Sequence, residues 1–199
     1  MNMRAQTDHP INDLLAQRWS PYVYADRAVP EVDLKSLFEA ARWAPSSYNE
    51  QPWAYIVARK EDTAEFERLL SCLVEANQQW AKHVPVLALG LARLAFQKNN
   101  KPNRHAFHDL GLASASLCVE ATVRGLVVHQ MAGIEPQRAR EVFNIPEGWE
   151  AAIGIAIGYE GAPATGEESL RQRDAARRPR KPAKEFVFGG SFGKTVPWL

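Results

Sequence analysis

Arg18, Trp19 and Ser20 follow one another where an apolar helical pattern gives way to a proline-containing loop. An arginine and a hydroxyl two positions apart at such an end offer a planar fork of N–H donors and an O–H group to a single phosphate. Taken alone, Arg18 reads better as a solvated cation favoured by a helix C-terminus. A second concentration of polar chemistry is PSSYNEQPW, residues 45–53, where Pro45, Ser46, Ser47, Asn49, Gln51 and Pro52 crowd a link that joins a helical pattern to an apolar run. An amide such as Asn49 presents a donor and an acceptor side by side, as the edge of a heterocycle requires. The plainer reading is a tight connection whose side chains satisfy their own backbone. The third cluster is RRPRKP, Arg177 to Pro182, which reads as an anion contact, a solvated tail or a weak nucleic-acid contact. It carries no interleaved aromatic residues on which bases would stack.

The elements that must position these clusters are legible from periodicity. Ile11, Leu14, Leu15 and Trp19 predict a helix over residues 10–19, and Leu34, Leu37, Phe38, Ala41 and Ala44 a second one that Pro45 stops. AYIVA, VPVLALGLA, LVVHQMAG and AAIGIAIGY read as strands, two of them apolar enough to be covered on both faces. Phe66, Leu69, Leu70, Leu73 and Val74 mark a helix between the first two strands. Residues 104–125 read as a long, small-residue-rich buried helix closed by Gly125, and PQRAREVFN as a short one. From Glu160 the chain turns polar, rich in Pro and Gly and without a steady period, which predicts an extended arm over residues 160–199 lying on this domain or on a partner.

Composition narrows the options. The 199 residues, 46% hydrophobic and 24% charged, predict one domain over residues 1–199 with a sizeable core. Lys plus Arg number 24 against 23 Asp plus Glu, so the net charge of +1 gives no general attraction to nucleic acid or to a membrane surface. Cys72 and Cys118 sit in apolar patterns and read as buried thiols of a reducing compartment. With no signal-like or membrane-length apolar segment, a cytoplasmic protein is expected. His105, His108 and Asp109 lie close on one helix but lack a third metal ligand at conventional spacing, and His129 reads as a core or pocket-lining side chain, so no metal site is expected.

Over nearly the whole chain, the order and wording of five segments resemble the flavin-dependent nitroreductase family: Arg18-Trp19-Ser20, the loop Pro45 to Trp53, HDLGLASASLCVEATVRGL, Met131-Ala132-Gly133 and Arg177 to Pro182. The resemblance implies an α+β fold with a central, mostly antiparallel sheet flanked by helices. It also implies an intertwined homodimer with two FMN sites at the subunit interface, fed transiently by NADH or NADPH. Arg18, Ser20, Arg178 and Arg180 would hold the FMN phosphate, with Trp19 and Tyr22 beside them. Asn49 would meet the isoalloxazine edge, with Pro45, Ser46, Ser47 and Gln51 as a wall from the other subunit. A backbone N–H in the turn Met131, Ala132, Gly133 would face the reactive nitrogen, and Asn77 is either a flavin contact or a helix cap.

Tyr22 departs from the pattern, since many members carry a second arginine there; the phenol would donate instead, or the arm's arginines would carry more of the phosphate. No GxGxxG turn is present, so the nicotinamide donor and the acceptor would take turns on one flavin face. No catalytic acid or base is nominated, because the cofactor carries the redox chemistry. The implied activity is reduction of nitroaromatics, quinones or similar flat acceptors. The alternatives are other chemistry on the same fold (reductive dehalogenation, flavin fragmentation, oxidation), a non-catalytic flavin-binding dimer, or a basic-tailed nucleic-acid module.

Overall fold

The computed structural model describes residues 4–162, 166–176 and 178–199. Four strands, β1 (Trp53–Arg59), β2 (Val86–Arg93), β3 (Val127–Met131) and β4 (Trp149–Gly158), form one sheet in the order β1-β2-β4-β3, every pair antiparallel. Side chains alternate across a strand, so each of the two central strands feeds two cores. Leu87, Leu89 and Leu91 of β2 face Phe66, Leu69, Leu73 and Trp80. Val86 and Ala88, with Ile155 and Ile157 of β4, face Leu34, Leu37, Ala41 and Leu117. The first face is covered by α3 (Thr63–Leu70), α4 (Glu75–Ala81) and α6 (Pro136–Phe143), the second by α2 (Glu31–Arg42) and the long α5 (Ala106–Val123). The fold is therefore α+β, with an antiparallel sheet between two helical layers.

Where the structure departs from the sequence pattern, local hydrogen bonding explains it. The first helix shrinks to α1 (Asp13–Gln17): Asn12 starts it by accepting the Leu14 N–H at 3.0 Å, and Arg18 is already extended. The helix expected through Val74 ends at Leu70, because Leu73 leaves to pair with Ile134 and Val74 opens the separate helix α4. The arm is not wholly extended, since Glu168–Ala175 form α7, a helix none of whose residues is buried. Gly125 does close α5 in the left-handed region, at φ +69°.

α5 carries apolar or small residues on its outer as well as its inner face. Its inner residues Leu110, Ala113, Leu117 and Ala121 pack into the core, and its outer line Phe107, Gly111, Ala115 and Val123 is exposed. A Cβ built at Gly111 would meet nothing within 4 Å.

Candidate active site

Arg18 leaves α1 and extends its guanidinium to Ser20, Nη1 donating to Oγ at 2.9 Å, while the Ser20 hydroxyl donates to the Val128 carbonyl of β3 at 3.2 Å. The serine thus fixes the arginine against the sheet edge. Tyr22 follows, its ring edge-on to Trp80 at 5.2 Å and to His129 at 4.7 Å. Segment 21–25 is held by the start of the arm through the Gly161 N–H to the Val23 carbonyl (3.0 Å), the Ala25 N–H to the Tyr159 carbonyl (2.9 Å) and the Tyr24–Glu160 bridge.

Helix α7 delivers what the sequence did not announce. The Arg173 guanidinium lies 3.8 Å over the Tyr22 ring, and its Nη2 donates to the phenol oxygen at 2.6 Å. The Asp174 carboxylate accepts the Tyr22 N–H at 2.8 Å and the Val23 N–H at 3.0 Å. Burial pushes the Asp174 carboxyl above its ordinary range despite those donors. Arg178 sits 5.6 Å over the same ring. Tyr22, where the resemblance leads one to expect an arginine, therefore seats arginines that arrive from the arm, and its phenol accepts a hydrogen bond from Arg173. Arg180 folds back instead, Nη1 donating to the carbonyls of Arg178 (3.0 Å) and Pro179 (3.3 Å), and Arg177 lies outside the described residues.

His129 lies at the centre of this cluster. Its Nδ1 bonds to the Pro21 carbonyl at 2.8 Å, and burial, with the positive field of Arg178, Arg173 and Arg18, lowers its pKa. Burial pushes the Cys118 thiol up, against the opposing pull of the Gln130 amide that donates to its sulfur at 3.2 Å and of the Arg18 charge.

The turn after β3 is tied to the same cluster. Asn77 Nδ2 donates to the Gly133 carbonyl at 2.9 Å, and the Trp80 indole donates to Asn77 Oδ1 at 3.3 Å. A Cβ at Gly133 would come within 2.6 Å of Asn77 Nδ2 and 2.8 Å of Val74 Cγ2, so glycine is required by the packing behind the turn. Asn77 is neither a terminal cap nor free, because it sits within α4 and braces Gly133. The Gly133 N–H has no acceptor among the described residues. Ala132, ahead of it, is exposed and Met131 is buried at the end of β3.

The loop over residues 45–51 stands apart in the single chain. Tyr48, Asn49 and Gln51 all have positive φ, 55°, 56° and 51°. For a residue with a Cβ such dihedrals cost on the order of 1 kcal/mol each. The loop holds them with the Gln51 N–H to Ser46 Oγ (3.0 Å), Gln51 Nε2 to the Asn49 carbonyl (3.1 Å) and, across the fold, the Ser47 N–H to Asp109 Oδ2 (3.0 Å). Asp109 is 2% exposed, and its other oxygen meets His108 Nδ1 at 3.2 Å. The residue that the sequence groups with two histidines thus anchors the polar loop. Pro45 precedes the anchored residues, and the Asn49 amide has no partner among the described residues.

The chemical character of the cluster is an excess of donors. Arg18, Arg173 and Arg178 have no carboxylate within ion-pair distance among the described residues, and the buried Trp19 indole N–H has no acceptor. A phosphate monoester with close to two negative charges and several acceptor oxygens fits such a set. Arg173 and Asp174 were not legible as site residues, because they reach Tyr22 from 151 and 152 positions away and only the neighbouring basic run hints at them.

Fold and site together define an α+β class with a donor-rich pocket lining, and sequence comparison gives it a name: residues 15–159 match the nitroreductase family of flavin oxidoreductases, to which the chain belongs. Among solved structures, an oxidoreductase described as containing FMN superposes with a TM-score of 0.89 at 32% identity, covering 98% of each chain. A nitroreductase family protein of Clostridium difficile 630 superposes at TM-score 0.68 with 24% identity, covering 90% of this chain and 97% of its own, a likeness of fold. A Streptomyces coelicolor relative, provisionally named an NADH dehydrogenase/NAD(P)H nitroreductase, is 26% identical over 162 residues, 71% of this chain and 79% of the relative.

Proposed function

We propose that the protein is an FMN-dependent oxidoreductase that draws hydride from NADH or NADPH and reduces a flat small acceptor, a nitroaromatic or a quinone. The single observation that carries the reading is the gathering of three arginines, Arg173 and Arg178 over the Tyr22 ring and Arg18 with them in the positive field at His129, none with a carboxylate within ion-pair distance among the described residues. These guanidiniums would hold the FMN phosphate, with the Ser20 hydroxyl keeping Arg18 in place and Trp19 offering its indole N–H. When bound, FMN supplies the two-electron chemistry that side chains lack. The chain's part is orientation. The Asn49 amide would pair with the ring's polar edge, the Gly133 N–H would donate to the reactive ring nitrogen, and Asn77 keeps that turn rigid. The backing of Gly133 by Asn77 supports this role.

The site is completed by a second copy. A helix that keeps an apolar line on its solvent side calls for a partner there, and the outer line of α5 with its small Gly111 and Ala115 supports close packing against its twin, as a homodimer. Pro45, Ser46, Ser47 and Gln51 would then face the partner's flavin. The purified protein should be yellow, bleach promptly when NADPH or NADH is added anaerobically, and regain its colour with a quinone or nitro compound. Colour without prompt bleaching would leave a flavin store. Colourless protein that ignores added FMN would end the reading.

A further inference from the structure

We propose that the turn between β2 and α5, residues 97–104, is the docking site for the phosphates of the dinucleotide donor and makes NADPH the preferred reductant; this rests on the flavin reading above. The stretch carries Lys98, Lys101 and Arg104 and no acidic residue. All three are exposed, and none has a carboxylate within ion-pair distance among the described residues. They are carried on a folded platform. The Phe96 N–H donates to the Lys101 carbonyl at 2.9 Å, the Asn100 N–H returns to the Phe96 carbonyl at 2.9 Å, and Ala95 pairs with Pro102. Asn99 Oδ1 accepts the Lys101 N–H at 3.0 Å, and Asn103, 4% exposed, braces the base by accepting the His105 N–H at 3.1 Å.

The platform is fastened to the loop assigned to the flavin. Glu50 Oε1, the one carboxylate bonded to the turn among the described residues, accepts the Gln97 N–H at 2.5 Å, and the rings of Tyr48 and Phe96 meet edge to face at 5.9 Å. Wherever residues 45–51 line a flavin, three uncompensated cations therefore stand beside its mouth. A nicotinamide stacked on the ring must trail the rest of its dinucleotide out of the pocket, and that remainder bears the negative charge. The 2′-phosphate of NADPH adds close to two charges to the pyrophosphate it shares with NADH. Exposed cations acting on it give a salt-sensitive gain in association.

The test uses the yellow holoenzyme and compares anaerobic flavin bleaching by NADPH, by NADH and by 1-benzyl-1,4-dihydronicotinamide, a hydride donor without phosphate. In the wild type the bimolecular rate constant for NADPH should exceed that for NADH and fall steeply with added NaCl, while that for the benzyl compound stays level. In K98E/K101E/R104E the ratio of NADPH to benzyl rate constants should drop tenfold or more, the NADH ratio less, and the glutamine triple variant should fall between. A ratio that survives charge reversal, or a wild-type NADPH rate indifferent to salt, would overturn the assignment. Colourless protein would instead overturn the flavin reading beneath it, so the two failures are distinguishable.

Discussion

The loop over residues 45–51 and the helix α7 contribute to the candidate site by opposite means. In the loop three side-chain-bearing residues take positive φ, and a single buried carboxylate, Asp109, holds the start of the strained stretch from α5. In α7 the backbone is an ordinary helix, and its contribution is made where Arg173 and Asp174 close on Tyr22 and Val23 from the far end of the chain. Strain stored locally shapes a contact surface, whereas hydrogen bonds made at long range by charged side chains gather a charge. The first suits recognition of a ring edge and the second capture of a phosphate.

That division can be broken from either side. The largest effect is expected at the phosphate end: Arg18→Ala should weaken FMN binding about 100-fold, close to 2.7 kcal/mol, without shifting the unfolding midpoint of the flavin-free protein. Flavin titration against urea unfolding separates the two quantities. Asp109→Ala should do the reverse. Stripping the Ser47 N–H of its charged acceptor should cost about 2 kcal/mol in unfolding free energy. The flavin should stay bound through its phosphate while turnover falls; FMN released as completely as from Arg18→Ala would show that the two regions are not separable. Arg173→Ala should weaken FMN about tenfold, and adding Tyr22→Arg should restore much of it by supplying the guanidinium from the segment itself. No recovery would mean that Arg173 only fastens the arm.

The smallest effect concerns His129. Its folded-state pKa lies below 6.5, so the unfolded chain takes up the proton more readily. The stabilisation is full above that value and is lost as pH falls from about 6.5 through the lower folded pKa. Stability of the flavin-free protein should fall between about pH 7 and 5, with His129→Gln showing a shallower slope. Equal slopes in the two proteins would remove His129 as the cause.

The contrast also explains what could be read in advance. β2 and β4 were visible because strands covered on both faces write continuous apolar runs. α4 was not, since only Trp80 and Ala81 of its seven residues are buried and the rest give no stripe. α7 has no fully buried residue and rests on the core only through the half-buried Leu170, so no apolar stripe marks it. In the site, Arg18-Trp19-Ser20 and the loop around Asn49 are contiguous strings that carry their chemistry in their spelling. Arg173, Asp174 and Asp109 act across 151, 152 and 62 positions, and contacts of that span exist only once the sheet has brought the segments together.

The outward line of α5 has a thermodynamic corollary. If Phe107, Gly111, Ala115 and Val123 lose water only on meeting their twin, association and folding are linked through mass action. The melting temperature should then climb with protein concentration. Dilution would sever each phosphate-binding half from the loop facing it, so that catalysis fades before either chain unravels.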